Sequence, residues 1–117
     1  MNAAIPLETF DAAAAIDRLT RSDACLLDCA TLWLSNHLLR KSDLEAEEAK
    51  LLDSLRRSAA PVVVVSNEVG QGIVPEHALG RTFREAQGRL NIALARQAQT
   101  VVQVIAGLPR ALKGGLP

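Results

Sequence analysis

Four consecutive valines, Val62 to Val65, constrain this chain more than any other feature. A β-branched apolar run of that length, preceded by Pro61 and followed by polar and glycine residues, reads as a strand buried on both faces. Such strands belong to parallel sheets covered by helices. After the valines come Ser66, Asn67 and Glu68, and then Gly70 and Gly72 interrupt regular structure. From about Pro75 a helical pattern begins, carrying Arg81, Arg84 and Arg89. Ligands of open α/β sheets collect beyond the carboxyl ends of the strands. A polar strand end, a glycine-flexed loop and an arginine-bearing helix therefore make a site-shaped arrangement.

The rest of the chain supports an α/β reading. Residues 1–7 read as an irregular lead-in. Thr9 is the expected cap of a helix over about 10–20, with Phe10, Ala13, Ala14 and Ile16 facing inward. ACLLD, residues 24–28, is a short apolar run ending in an acid and reads as a strand. Residues 31–40 are helical, with Leu32, Trp33, Asn36 and His37 on adjacent turns. Ser42 with Glu45 forms a capping box for a helix over about 43–58, whose apolar stripe is Leu44, Leu51, Leu52 and Leu55. The helix after Pro75 runs to about Gln97, with Leu79, Phe83, Leu90 and Leu94 as core positions. Gly80 and Gly88 within it cost about 1 kcal/mol each against alanine, which implies close packing or an interruption. TVVQVI, residues 100–105, is the third strand; 106–109 turn the chain and the tail reads as loose. Three strands separated by helices make two β–α–β units, so all three can be parallel. The expectation is one α/β domain over residues 1–117, either part of a larger domain or a minimal one with exposed edges.

Composition narrows the function. The chain has 13 basic and 13 acidic residues, which removes the electrostatic case for general nucleic-acid or anionic-membrane binding. No apolar run reaches the roughly 20 residues of a membrane span, and no basic segment leads into an apolar one as in a signal peptide. A soluble, cytoplasmic protein is expected. Cys25 and Cys29 are the only cysteines; on one strand they stand about 13 Å apart at roughly 3.3 Å per residue, beyond disulfide reach.

Asp28 and Glu68 each follow an apolar strand, so both acids project from one sheet edge. An acid there binds Mg²⁺ beside phosphates in nucleoside-triphosphatases; an Asp after a strand is also a common turn former or helix cap. Arg81, Arg84 and Arg89 suit phosphate or carboxylate partners through paired hydrogen bonds, or form a solvated face compensated by Glu85. His37 reads as a packed or surface residue rather than a catalytic one, and His77 is equally open. Ser66 lacks a G-x-S-x-G elbow. No G-x-x-x-x-G-K-[ST] loop occurs in the sequence, and Gly70-Gln71-Gly72 is not one.

Three stretches say more: LLDCATLWLSNHLL (26–39), VVVVSNEVGQGIVPEHALGRTFREAQGRLNIALA (62–95) and VVQVIAGLPRALK (101–113). They closely resemble the bifunctional adenosylcobinamide kinase/adenosylcobinamide-phosphate guanylyltransferase family of cobalamin biosynthesis. SNEVGxGIVPE followed by R-x-F-R-x-x-x-G-R-x-N is the most specific part. The resemblance implies a RecA-like, P-loop NTPase-type fold with a parallel sheet flanked by helices. It implies phosphorylation of adenosylcobinamide with ATP or GTP, then GMP transfer from GTP through a GMP-histidine intermediate, with Mg²⁺ as cofactor and homo-oligomers, trimers among them.

Departures qualify what carries over. The family opens with a P-loop strand, and its guanylylated histidine lies between that loop and the region matched here. Neither His37 nor His77 matches that histidine, and no acid aligns near Ala3 or Ala4 where the family has one. Asp28 matches the acidic nucleotide-site residue, holding Mg²⁺ directly or through water; Glu68, Arg81, Arg84, Arg89 and Asn91 match motif positions as candidate site-lining residues. The expected partners are adenosylcobinamide and nucleotide, plus further copies or a separate P-loop-bearing segment, with no nucleic acid. Alone the chain is expected to be inactive; the alternative is a non-catalytic scaffold or oligomerisation module.

Overall fold

The computed structural model describes residues 2–4, 11–68 and 78–116. Three strands form a parallel sheet: β1 (Asn2–Ala4), β2 (Ala24–Asp28) and β3 (Val62–Val65), in the order β1-β2-β3. Helix α1 (Ala12–Asp17) lies between β1 and β2 in the chain. Helices α2 (Ala30–Leu39) and α3 (Leu44–Arg57) connect β2 to β3, and α4 (Ala78–Gln97) follows β3. The chain then forms an antiparallel hairpin of β4 (Val101–Ile105) and β5 (Leu108–Lys113).

The α/β class and the strands at 24–28 and 62–65 stand as expected, but the third parallel strand does not. It is β1, which a lead-in of Asn-Ala-Ala did not announce; β4 instead folds back on β5 as a separate two-stranded sheet. Ala106 and Gly107 both take positive φ, 52° and 77°. Two such residues between Ile105 and Leu108 make the primed turn that suits a tight hairpin, so residues 108–113 form a strand rather than a loose tail. Lys113 Nζ donates to the carbonyls of Ala95 and Arg96, tying the hairpin to the C-terminal end of α4.

The valine strand is buried on one face only. Cys25 pairs in register with Val62 and Leu27 with Val64; these side chains meet the helices. On the other face Leu26 pairs with Val63 and Asp28 with Val65. There Leu26 is 44% exposed, Val63 62% and Val65 41%. The core is built from Ile16 of α1, Leu27 of β2, Trp33 and Leu34 of α2, Leu51 of α3 and Leu90 of α4.

Helix ends also differ from expectation. Asp11 caps α1, its carboxylate accepting from the Ala14 amide at 3.1 Å; Thr9 and Phe10 lie outside the described residues. Asp43, not Ser42, caps α3 by accepting from the Ala46 amide at 3.2 Å. Leu79 is 61% exposed and not a core position, whereas Phe83, Leu90 and Leu94 pack as expected. A Cβ on Gly88 would meet nothing within 4 Å, so no close approach explains that glycine, and α4 runs through it unbroken. The expected helix start near Pro75 lies outside the described residues.

Arg57 joins α3 to α1. Its guanidinium bonds Asp53 at 2.7 Å and Asp17 of α1 at 3.3 Å, and Arg56 also bonds Asp53. Bonds from Arg57 and then Arg56 hold the Asp53 carboxyl below the usual carboxylate range. Both sides are exposed, so these pairs orient the helices more than they stabilise them.

Candidate site at the carboxyl edge of the sheet

Because β2 and β3 are parallel and Asp28 is registered with Val65, their carboxyl ends share one edge. Asp28 is exposed there, on the uncovered face of the sheet, and its peptide bond to Cys29 is cis. Glu68 follows Val65 by three residues and is exposed at the same edge. The sheet thus brings the ends that carry the two acids together.

At the end of β3 sits a polar network in which Asn91 is the one expected site-lining residue. Ser66, just past β3, donates from Oγ to Asn91 Oδ1 at 2.6 Å. Gln87, fully buried on α4, donates from Nε2 to Ser66 Oγ and to Asn91 Oδ1, both at 2.9 Å. Asn91 Nδ2 donates to the Asn67 carbonyl at 2.9 Å, and the Asn67 amide donates to Thr31 Oγ1 of α2 at 3.0 Å. Among the described residues the remaining Gln87 oxygen is buried without a hydrogen-bond partner. Gln87 and Asn91 stand one turn apart on α4, but a pair of amides on a charged helix looks like solvated surface in the sequence. Only the neighbouring SNE of the strand end hinted that they face polar partners.

The arginines divide. Arg84, Gln87 and Asn91 occupy positions i, i+3 and i+7, one stripe of α4. Arg81 lies one turn earlier and is exposed. At about 100° per residue, Arg89 falls on the opposite side of α4 from Gln87 and Asn91. It lines a recess of about 530 Å³ between α2, α3 and α4, with Leu34, Leu44, Glu45, Glu48 and Leu52. The structure therefore does not bring Arg89 to the edge. Burial pushes the Glu48 carboxyl up, Arg89 draws it back and Glu45 pushes it further.

His37 is buried, its ring edge-on to Trp33 at 4.7 Å between centroids, with Nδ1 2.9 Å from Ser42 Oγ. That is a packing role, and it explains why Ser42 does not cap α3. His77 lies outside the described residues, as do Gly70 and Gly72. Cys25 and Cys29 are both free thiols, as expected, and burial pushes the Cys25 thiol up. No helix among the described residues is long and apolar enough to cross a membrane.

The chain as a whole has relatives among known proteins. The model of the cobinamide kinase / cobinamide phosphate guanyltransferase family, CobU, matches residues 6–112. The bifunctional adenosylcobalamin biosynthesis protein CobP of Pseudomonas aeruginosa is 39% identical over 113 residues, covering 91% of this chain and 65% of that protein. The CobU proteins of Salmonella typhimurium and Escherichia coli K12 are 38% and 35% identical, covering 77% and 74% of this chain. The chain spans 56% to 65% of the lengths of these three relatives. A match over nearly the whole chain and these identities make the chain a member of the cobinamide kinase / cobinamide phosphate guanyltransferase family.

Proposed function

We propose that this chain contributes the carboxylate edge of a nucleotide site that phosphorylates adenosylcobinamide and transfers GMP from GTP to adenosylcobinamide phosphate. The observation that carries the reading is Asp28: exposed, at the carboxyl end of a parallel strand, in register with the strand that leads to Glu68. We read the sheet as the side of a RecA-like, P-loop NTPase-type domain spanning residues 1–117, with ATP or GTP as substrate.

Asp28 fits Mg²⁺ in one particular way. Among the described residues no three ligand-type side chains gather into a protein cage. Mg²⁺ commonly keeps several waters and takes one or two carboxylates plus substrate phosphates, which an exposed single carboxylate satisfies. When bound, the ion neutralises charge on the transferred phosphoryl group. Asp28 would hold it from the sheet, and the Ser66–Gln87–Asn91 network fixes the neighbouring strand end.

The 117 residues contain no G-x-x-x-x-G-K-[ST] loop, so a phosphate cradle of that type must come from a segment outside them. His37, buried against Trp33 and Ser42, is unsuited to carry GMP. By themselves these residues catalyse neither step. The purified chain, incubated with labelled GTP, Mg²⁺ and adenosylcobinamide, is expected to give neither labelled protein nor product. Product is expected once a P-loop-bearing segment is supplied, and it is lost with Asp28→Asn while the melting temperature holds. Covalent GMP on the chain alone, or unchanged turnover by Asp28→Asn, overturns the reading. The uncovered face with Leu26, Val63 and Val65 favours one second reading, a non-catalytic scaffold whose partners are further copies; no product with the added segment would favour it.

A further inference from the structure

Asn67 is held in an unusual way for an exposed residue. Both of its backbone groups are bonded by side chains from other elements: its amide by Thr31 of α2, 36 positions earlier, and its carbonyl by Asn91 of α4, 24 positions later. Asn91 is itself fixed by the buried Gln87 and by Ser66. Thr31 belongs to the first turn of α2, three residues beyond Asp28. The clamp therefore ties the end of β3 to the segment that follows the Asp28 carboxylate. Terminating β3 requires none of this; a water-exposed amide and carbonyl find partners in solvent. What the clamp does is fix the Cα of Asn67 at the carboxyl edge, where open α/β sheets meet their ligands. Among the described residues its carboxamide makes no hydrogen bond.

We propose that Asn67 contacts a phosphoryl oxygen of the bound substrate through its carboxamide N–H, and that Thr31 and Asn91 are positioning residues acting through it. A carboxamide is neutral, so it sits beside Asp28 and Glu68 without adding to their charge and donates toward an anion they would otherwise repel. The phosphoryl oxygen belongs either to the nucleotide or to adenosylcobinamide phosphate. The inference rests on the nucleotide reading above.

The test uses the whole 117-residue chain, ¹⁵N-labelled and mixed with the unlabelled P-loop-bearing segment, titrated to millimolar concentration with Mg·GTP and separately with adenosylcobinamide phosphate. The Asn67 side-chain NH₂ resonance is expected to move with one of the two, and that arm identifies the source. Asn67→Asp, equal in size but acceptor-only, should weaken that binding tenfold or more without shifting the unfolding midpoint. Thr31→Val, which keeps shape and loses the acceptor, should weaken it similarly and speed exchange of the Asn67 amide; Thr31→Ser should restore both. If signals of Asp28 and Glu68 respond while Asn67 does not, or if Asn67→Asp binds like the parent, the inference is wrong and the nucleotide reading survives. If nothing at the edge responds to either ligand, the nucleotide reading fails and takes the inference with it.

Discussion

Replacing Val63 and Val64 separately by threonine tests whether the sheet is covered on one face. Threonine keeps the β-branch, so strand propensity is held and only a methyl is exchanged for a hydroxyl. Val63 retains 62% of its surface, so its new hydroxyl stays in water and the change should cost less than about 0.5 kcal/mol. Val64 packs against the helical core beside Leu27. A hydroxyl there loses apolar contact and gains no assured partner, for a cost of about 1–2 kcal/mol. The two substitutions are adjacent and chemically identical, so backbone effects cancel in the comparison. Urea unfolding followed by the fluorescence of Trp33, the single tryptophan and a buried one, reads both. Equal costs at the two positions would refute the reasoning, because they would mean that the face carrying Leu26, Val63 and Val65 is shielded from water.

Two smaller predictions follow from the α2–α3–α4 recess. Burial raises the Glu48 carboxyl, so its folded-state pKa lies above its unfolded value; stability is full below the unfolded pKa and falls as pH rises through the folded one. Glu48→Gln should therefore stabilise the chain at pH 7 and lose that advantage below about pH 4, checked by melting temperature against pH. Arg89 lies across α4 from the edge network, so Arg89→Lys should leave reconstituted turnover unchanged and alter stability by less than about 0.5 kcal/mol; a large loss of turnover would return Arg89 to the site.

What the sequence made legible was local. ACLLD and VVVV read as strands because short apolar runs bounded by Pro, Asp and polar residues leave few alternatives. The helices expected over 31–40 and about 43–58 stand at Ala30–Leu39 and Leu44–Arg57, and the one expected from Pro75 to about Gln97 is described from Ala78. Pairing is not local, and there the structure departs from the expectation. TVVQVI was a strand by composition, but nothing within it distinguishes a parallel neighbour from a hairpin partner. The signal lay in Ala106-Gly107, two residues between apolar runs with glycine second, which suits a primed turn. Asn2–Ala4 lacked any strand signature and pairs because β2 offers it an edge. Two-sided burial of the valines was inferred from their composition, yet burial depends on what covers a sheet. At the site, Asp28 and Glu68 were legible from their places after strands. Asn91 was a candidate only through the family motif, and Gln87 was not legible at all, since an amide facing Ser66 looks the same in sequence as one facing water.

The half-covered sheet has a consequence for what stability means in this protein. A partner that binds the bare face of Leu26, Val63 and Val65 in the native state, and not in the unfolded chain, adds free energy that grows with the logarithm of its concentration. The unfolding midpoint is then no constant of the sequence. It rises with the supply of such a partner, because the unfolding free energy gains about 2.7 kcal/mol when the partner is present at a hundred times its dissociation constant. For a domain whose whole margin is about 5–15 kcal/mol, the supply of such a partner would govern how much of the chain is folded.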